Sequence, residues 1–230
     1  MHPMSRIPAF VPGHVEPGGP SAVWRLAEVE IRKASVSAQD NNAYLFTDGA
    51  SGARLLIDAA DDEDRLTALL AEPEPAGELA GICTTHQHWD HHRALPRMVE
   101  RTGATTYAGA ADAPELPVVV DRPLQHGDAI TVGAQRLDVI GLRGHTPGSI
   151  ALAWQDSHSG VVHIFSGDSL FPGGVGKTTS PQDFTSLIDD VENRIFSVYG
   201  DDTVIYPGHG DNTTLGAERP QLTQWRERGW

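Results

Sequence analysis

Apolar residues alternate with polar ones from Val23 to Ala34, again over Ala43–Thr47, and in the run Arg54–Asp58, with Asp48-Gly49 and Ser51-Gly52 as turn signals before the last. Alternation with a period of two, bounded by Gly, Asn and Asp, reads as strands, so an antiparallel opening is expected. The period then changes. Asp61–Glu72 begins acidic and carries Leu66, Leu69 and Leu70 at helical spacing, which predicts an amphipathic helix crossing to the apolar strand Gly81–Thr85. A second helix–strand pair is predicted at Leu95–Thr102 and Thr105–Ala108. Strands return at Ala129–Val132, Arg136–Ile140, Ser149–Trp154 and Val161–Ser166, then a helix over Asp183–Tyr199 and a last strand, Thr203–Tyr206. Strands, helix–strand alternation, and the same order again predict an α/β fold of two sheets packed face to face with helices outside. No repeat, low-complexity tract or linker divides the pattern. A single domain over residues 23–230 is expected, preceded by an N-terminal extension, residues 1–22.

Composition narrows the classes of partner. With 230 residues, 39% of them apolar, the chain can bury one sizeable core. A formal net charge of −14 disfavours nucleic acid and anionic membranes as partners, and no basic patch offsets it. No apolar run reaches signal-peptide or membrane-span length. A cytoplasmic protein with a small-molecule substrate is expected, its oligomeric state left open. The one cysteine, Cys83, cannot form an internal disulfide and reads as a small apolar residue buried in its strand.

The polar residues change the picture most. Of 11 histidines, four crowd into Thr85-His86-Gln87-His88-Trp89-Asp90-His91-His92, directly after an apolar strand. Imidazole and carboxylate are preferred ligands of zinc and similar divalent ions, with bonds of ~2.0–2.2 Å. Alternation at His86, His88 and Asp90 can aim several of them into one pocket. His92 reads as a surface residue or as support for the others. Three more candidates sit in short turns after apolar strands: Gly144-His145-Thr146-Pro147-Gly148, Ser166-Gly167-Asp168-Ser169 and Pro207-Gly208-His209-Gly210. Each alone is an ordinary turn. Together, His86, His88, Asp90, His91, His145, Asp168 and His209 exceed the needs of one ion and suit two ions sharing a carboxylate. Asp58, at a strand end, is a candidate to orient a ligand histidine through its outer N–H. The run Gly173–Thr178 is not a phosphate-binding loop, because the required first glycine falls at Phe171.

These residues resemble the metallo-β-lactamase superfamily, whose H-x-H-x-D-H signature is matched by His86, His88, Asp90 and His91. The resemblance implies a four-layer αββα sandwich with metals at one edge of the two sheets. It assigns His86, His88 and His145 to a first ion, Asp90, His91 and His209 to a second, and Asp168 as the bridge. It makes Asp90 and Asp168 the catalytic carboxylates and calls for two divalent ions, zinc first, with iron or manganese as alternatives. Asp168 argues against true β-lactamases, which tend to carry cysteine or serine there, and His88 against flavodiiron proteins, which usually carry glutamate. Gly167–Phe171 and Gly174–Lys177 are most similar to glyoxalase II, hydroxyacylglutathione hydrolase, in which the lysine matching Lys177 contacts the thiol conjugate. Three features depart from that family. Thr178 and Thr179 stand where it has a tyrosine, Ser149 replaces a histidine, and nothing in residues 210–230 matches its C-terminal helical domain.

The resemblance implies a metal-dependent hydrolase in which water activated between two ions attacks a thioester of a low-molecular-weight thiol, with Lys177 binding substrate. Thioesters suit such a site because a thiol of pKa ~8.5 leaves without a strong general acid. A lactonase of the same fold is a rival. So is a persulfide dioxygenase, which resembles this motif set but holds one iron with the residues matching His86, His145 and Asp168. A non-catalytic binding module and an RNA-processing nuclease are rivals of other classes, disfavoured respectively by the full ligand set and by the acidic charge.

Overall fold

The computed structural model describes residues 13–73 and 77–229; residues 1–12 of the expected N-terminal extension lie outside them. The opening alternation builds β1 (Ala22–Arg25), β2 (Val29–Ser35), β3 (Asn42–Asp48) and β4 (Arg54–Ile57), an antiparallel run. The helical stretches α1 (Glu63–Ala71) and α2 (Leu95–Thr102) are crossovers that deliver β5 (Leu79–Thr84) and β6 (Thr105–Gly109) parallel to β4. A short β7 (Arg122–Leu124) completes a seven-stranded sheet ordered as in the chain.

The second sheet has six strands. They are β8 (Ala129–Val132), β9 (Gln135–Gly141), β10 (Ile150–Gln155), β11 (Val162–Gly167), then, after a small hairpin of β12 (Leu170–Phe171) and β13 (Gly174–Val175), β14 (Val204–Pro207) and β15 (Thr213–Thr214). Helix α3 (Pro181–Val191) is the crossover that makes β14 parallel to β11. The chain finishes with α4 (Leu215–Glu218) and α5 (Leu222–Arg228).

Both faces of each sheet are covered, which is why the strands are so apolar. Tyr44, Phe46, Leu55 and Ile57 from the first sheet meet Val139, Leu152, Trp154 and Phe165 from the second between the layers. The alternate positions Ala43, Leu45 and Leu56 face outward onto Leu66 and Leu69 of α1 and Met98 of α2. On the far side Ile140, Ile164 and Ile205 pack on Leu187 and Val191 of α3 and Trp225 of α5. Each such large side chain contributes roughly 1.5–3 kcal/mol by leaving water. The layers are therefore α, β, β, α, as expected, and Cys83 is buried in the central layer.

Three expectations are corrected in detail. The single strand read over Val23–Ala34 is two strands, β1 and β2, joined by a reversal at Leu26–Glu28 where Leu26 N–H donates to Val29 O at 2.9 Å. No Gly, Pro or Asn marks that reversal. The helix read over Asp183–Tyr199 begins earlier, at Pro181, because Ser180 caps it by accepting from Asp183 N–H. It is α-helical only to Val191, and Glu192–Phe196 continue as a wider π turn. The strands β7, β12, β13 and β15 and the helices α4 and α5 were not anticipated. No helix among the described residues is long and apolar enough to cross a membrane.

Candidate metal centre

Every candidate ligand follows the end of a strand, so strand geometry brings them to one edge of the sandwich. His86, His88, Asp90 and His91 lie beyond β5, the last two in a short 3-10 turn, Trp89–His91. His145 lies beyond β9, Asp168 directly after β11, and His209 after β14. His86 and His91 are buried at the base of the centre, and His88 is exposed at its mouth.

The seven side chains converge as two groups. In the first, His86 Nε2 is 3.1 Å from His88 Nδ1 and 3.3 Å from His145 Nε2, and the last two are 2.9 Å apart. In the second, His209 Nε2 is 3.1 Å from His91 Nε2 and 3.4 Å from Asp90 Oδ2. Asp168 lies between the groups. Its Oδ1 is 3.3 Å from His91 Nε2, and its Oδ2 is 3.4 Å from His209 Nε2 and 3.7 Å from His145 Nε2. Gly208 keeps this space open, since a Cβ there would lie 2.2 Å from Asp168 Oδ1 and 2.6 Å from His91 Cε1.

The outer nitrogens decide what the inner ones can do. His145 Nδ1 donates to Lys177 O at 2.7 Å and His209 Nδ1 to Gln39 O at 2.9 Å. His91 Nδ1 donates to Asp58 Oδ2 at 2.9 Å. The Thr85 hydroxyl donates to the same carboxylate at 2.8 Å and so accepts from His86 Nδ1 at 3.1 Å. With their outer N–H groups engaged, the rings in their neutral form turn lone pairs inward, as metal-bound imidazoles do. Nitrogen lone pairs facing one another at such distances have no hydrogen-bond solution among themselves. Among the described residues Asp168 Oδ1, which is buried, has no hydrogen-bond partner. Both features fit a donor set arranged for cations.

The electrostatics agree in part. Burial pushes His86 well below its ordinary pKa and lowers His145, so both are neutral donors at pH 7. Burial would raise Asp168, but His209 and His91 outweigh it and hold the carboxyl well below the usual range. Burial opposes ionisation of Asp90 too, and the Asn41 amide and His91 overcome it. In the metal-free centre His91 behaves differently: against burial, the Asp168 and Asp58 carboxylates raise it to about 10. His209 is raised, against burial, by Asp168. The His91 proton stands where a cation would stand, and a metal ion bound there would displace it.

Asp58 is 2% exposed and has a positive φ of 59°, with Thr85 N–H donating to its Oδ1 at 2.7 Å. It thus touches His91 directly and His86 through Thr85. Lys177 is exposed, and it is its main-chain carbonyl that touches the cluster. The Lys177 side chain lines a neighbouring groove of about 920 Å³ with Thr178, Ser180, Phe184 and Arg226. His92 is buried and donates to Gln87 O at 3.0 Å within the histidine loop, a supporting position.

Other residues were not anticipated. Asn41, fully buried, donates to Asp90 Oδ2 at 3.0 Å. Asn42 and Tyr44 donate to Pro207 O at 2.9 and 2.6 Å, and the buried Lys33 ammonium donates to Gly13 O at 2.6 Å and to Gly210 O at 2.5 Å. The turn carrying His209 is thereby fastened from the first sheet. The polar run Asp40-Asn41-Asn42 between apolar strands was the available signal.

An αββα sandwich with a histidine–aspartate cluster at the edge of its sheets defines a class of α/β proteins built around metal ions. The chain belongs to the metallo-beta-lactamase superfamily, whose profile matches residues 37–209. Hydroxyacylglutathione hydrolase from Fuscovulum blasticum is 40% identical over 139 residues, covering 60% of this chain and 51% of its own. The chain thus spans about half the length of such curated relatives. The crystal structure of ETHE1 from Myxococcus xanthus superposes with a TM-score of 0.73 at 28% identity, over 86% of this chain and 84% of that one. TTHA1623 in a di-iron-bound form does so with a TM-score of 0.64 at 31% identity, over 81% and 96%.

Proposed function

We propose that the chain is a hydrolase that cleaves thioesters of a low-molecular-weight thiol at two divalent metal ions, zinc in the first place, with iron or manganese as alternatives. One observation carries the reading: the Asp168 carboxylate lies within 3.3–3.7 Å of ring nitrogens from both histidine groups, so a single side chain reaches both candidate positions. His86, His88 and His145 would hold one ion and Asp90, His91 and His209 the other. The curated relatives named hydroxyacylglutathione hydrolase and the di-iron-bound neighbour support the same reading.

When bound, two such ions would supply Lewis acidity and lower the pKa of a coordinated water toward ~7. The chain's own residues do the rest. Asp58 and the carbonyls of Gln39 and Lys177 orient the rings through their outer N–H groups. Asp168 and Asp90 stay ionised at neutral pH and balance the cationic charge. The exposed Lys177 ammonium, in the groove beside His145, would hold an anionic group of the thiol carrier. The departing thiolate needs no acid from the protein, since its pKa is ~8.5. A small-molecule partner and a cytoplasmic setting accord with the acidic surface and the single buried cysteine.

A one-iron persulfide dioxygenase is the second reading. His86 Nε2, His145 Nε2 and Asp168 Oδ2 also come together, with 3.3 Å between the first two and 3.7 Å between the last two. Metal-defined protein assayed against thioesters, lactones, a β-lactam and a persulfide under an oxygen electrode separates the readings. Thiol release from a thioester is expected. Turnover confined to lactones or the β-lactam, or oxygen uptake with the persulfide, would contradict the proposal.

A further inference from the structure

Asp112 is fully buried, belongs to no motif of the superfamily signature and lies on a turn after β6. It occupies the capping position of a 3-10 turn, Ala113–Glu115, yet its side chain makes no hydrogen bond to that turn. Its carboxylate is spent elsewhere. Oδ2 accepts from Gln87 N–H at 2.9 Å and from the Thr146 hydroxyl at 2.5 Å, and Oδ1 accepts from Gly148 N–H at 2.6 Å. Gln87 lies between His86 and His88, and Thr146 directly follows His145. One buried carboxylate therefore joins the two loops that supply the first histidine group, across the seam where His88 Nδ1 and His145 Nε2 stand 2.9 Å apart.

The surroundings are built for this contact. A Cβ on Gly148 would fall 2.4 Å from Asp112 N and 2.8 Å from its Oδ1, so only glycine lets the turn approach. Ser149 Oγ accepts from Thr146 N–H at 3.2 Å and lies 2.6 Å from Thr146 Oγ1. The serine can donate to the threonine hydroxyl, which leaves that hydroxyl's proton for Asp112. Ser149, a departure from the glyoxalase II pattern, thus has a place in the bracket. Among the described residues no cation contacts the carboxylate, and its charge is met by three neutral donors aimed at it, a strong and directional arrangement.

We propose that Asp112 is a positioning residue that sets the spacing of His86, His88 and His145 and thereby the metal affinity of that group alone. The proposal rests on the metal-centre reading. The test is stepwise competition between full-length protein and a chromophoric chelator for Zn²⁺, with His88→Ala identifying which equivalent belongs to the three-histidine group. Asp112→Asn keeps the shape but presents an amide that cannot accept at both atoms. It should weaken that equivalent by ~10–100-fold, the usual effect of losing such a supporting partner, and leave the other within about threefold. The cobalt-substituted variant should show a changed visible spectrum for the same equivalent. Thr146→Val removes one donor and should shift the same equivalent in the same direction; it decides the matter if Asp112→Asn does not fold. A folded Asp112→Asn with both affinities unchanged, or with both lowered equally, overturns the proposal, as does an unchanged Thr146→Val when the asparagine variant is unfolded. If the wild type binds one equivalent only, the two-ion reading fails, and Asp112 is judged by whether its substitution weakens that one.

Discussion

Replacing Asp58 by asparagine should weaken metal binding without unfolding the protein. The wild-type carboxylate accepts from His91 Nδ1 at 2.9 Å, Thr85 N–H at 2.7 Å and Thr85 Oγ1 at 2.8 Å. Asparagine fills the same space but keeps one acceptor oxygen, so Thr85 N–H can stay paired while the amide N–H₂ faces His91 and the threonine hydroxyl. That amide donates where it used to accept, and it drives the His91 proton from Nδ1 to Nε2, the atom that faces Asp168 and His209. Hydrogen bonds to charged acceptors are worth about 1.5–3 kcal/mol. A supporting partner of a ligand histidine is worth ~10–100-fold in metal affinity, or roughly 1.4–2.7 kcal/mol, the same order as one such bond. Chelator competition on Asp58→Asn should therefore show at least one equivalent weakened about tenfold or more, with far-UV circular dichroism unchanged. Wild-type affinity for every equivalent in the folded variant would refute the claim that Asp58 fixes the His91 tautomer.

Asp168→Ala should lower kcat by orders of magnitude while the fold persists, because one carboxylate reaches both histidine groups; turnover near wild type would remove it as the bridge. Lys177→Ala should raise KM about tenfold for an anionic thioester and leave kcat within a few fold, with neutral thioesters barely affected; unchanged KM for every anionic substrate would make Lys177 an ordinary surface residue. Burial lowers His163 from 6.5 to about 4, so the neutral ring's contribution is complete above pH 6.5 and is lost as pH falls toward 4, in all ~3 kcal/mol at about 1.4 kcal/mol per pH unit. In urea denaturation of metal-free protein, His163→Phe should flatten the stability profile over that window; parallel profiles for variant and wild type would show that His163 does not titrate on unfolding.

The layered fold was legible because each central strand serves two cores. Tyr44 and Phe46 face the other sheet while Ala43 and Leu45 face a helix, so the strands carry apolar residues on both sides and stand out from their loops. The seven candidate ligands were legible because histidine and aspartate at strand ends have few other reasons to recur. What escaped notice depends on contacts that have no local signature. The reversal between β1 and β2 uses Leu26, Ala27 and Glu28, none of them a turn former. Helix α5 is short, and its one fully buried anchor, Trp225, shows its role only once Phe196 is packed against it. Lys177 was read by its side chain, whereas its carbonyl makes the contact to His145, and a carbonyl is the same in every residue. Asp112 is invisible in sequence because its partners lie 25 to 36 positions away.

Metal content tests the central claim most directly. Protein saturated with zinc, freed of excess by gel filtration and analysed for metal and protein together should hold close to two equivalents per chain, as expected if His86, His88 and His145 form one position, Asp90, His91 and His209 the other, and Asp168 spans both. A firm value of one equivalent, in folded protein with all seven residues intact, would contradict it.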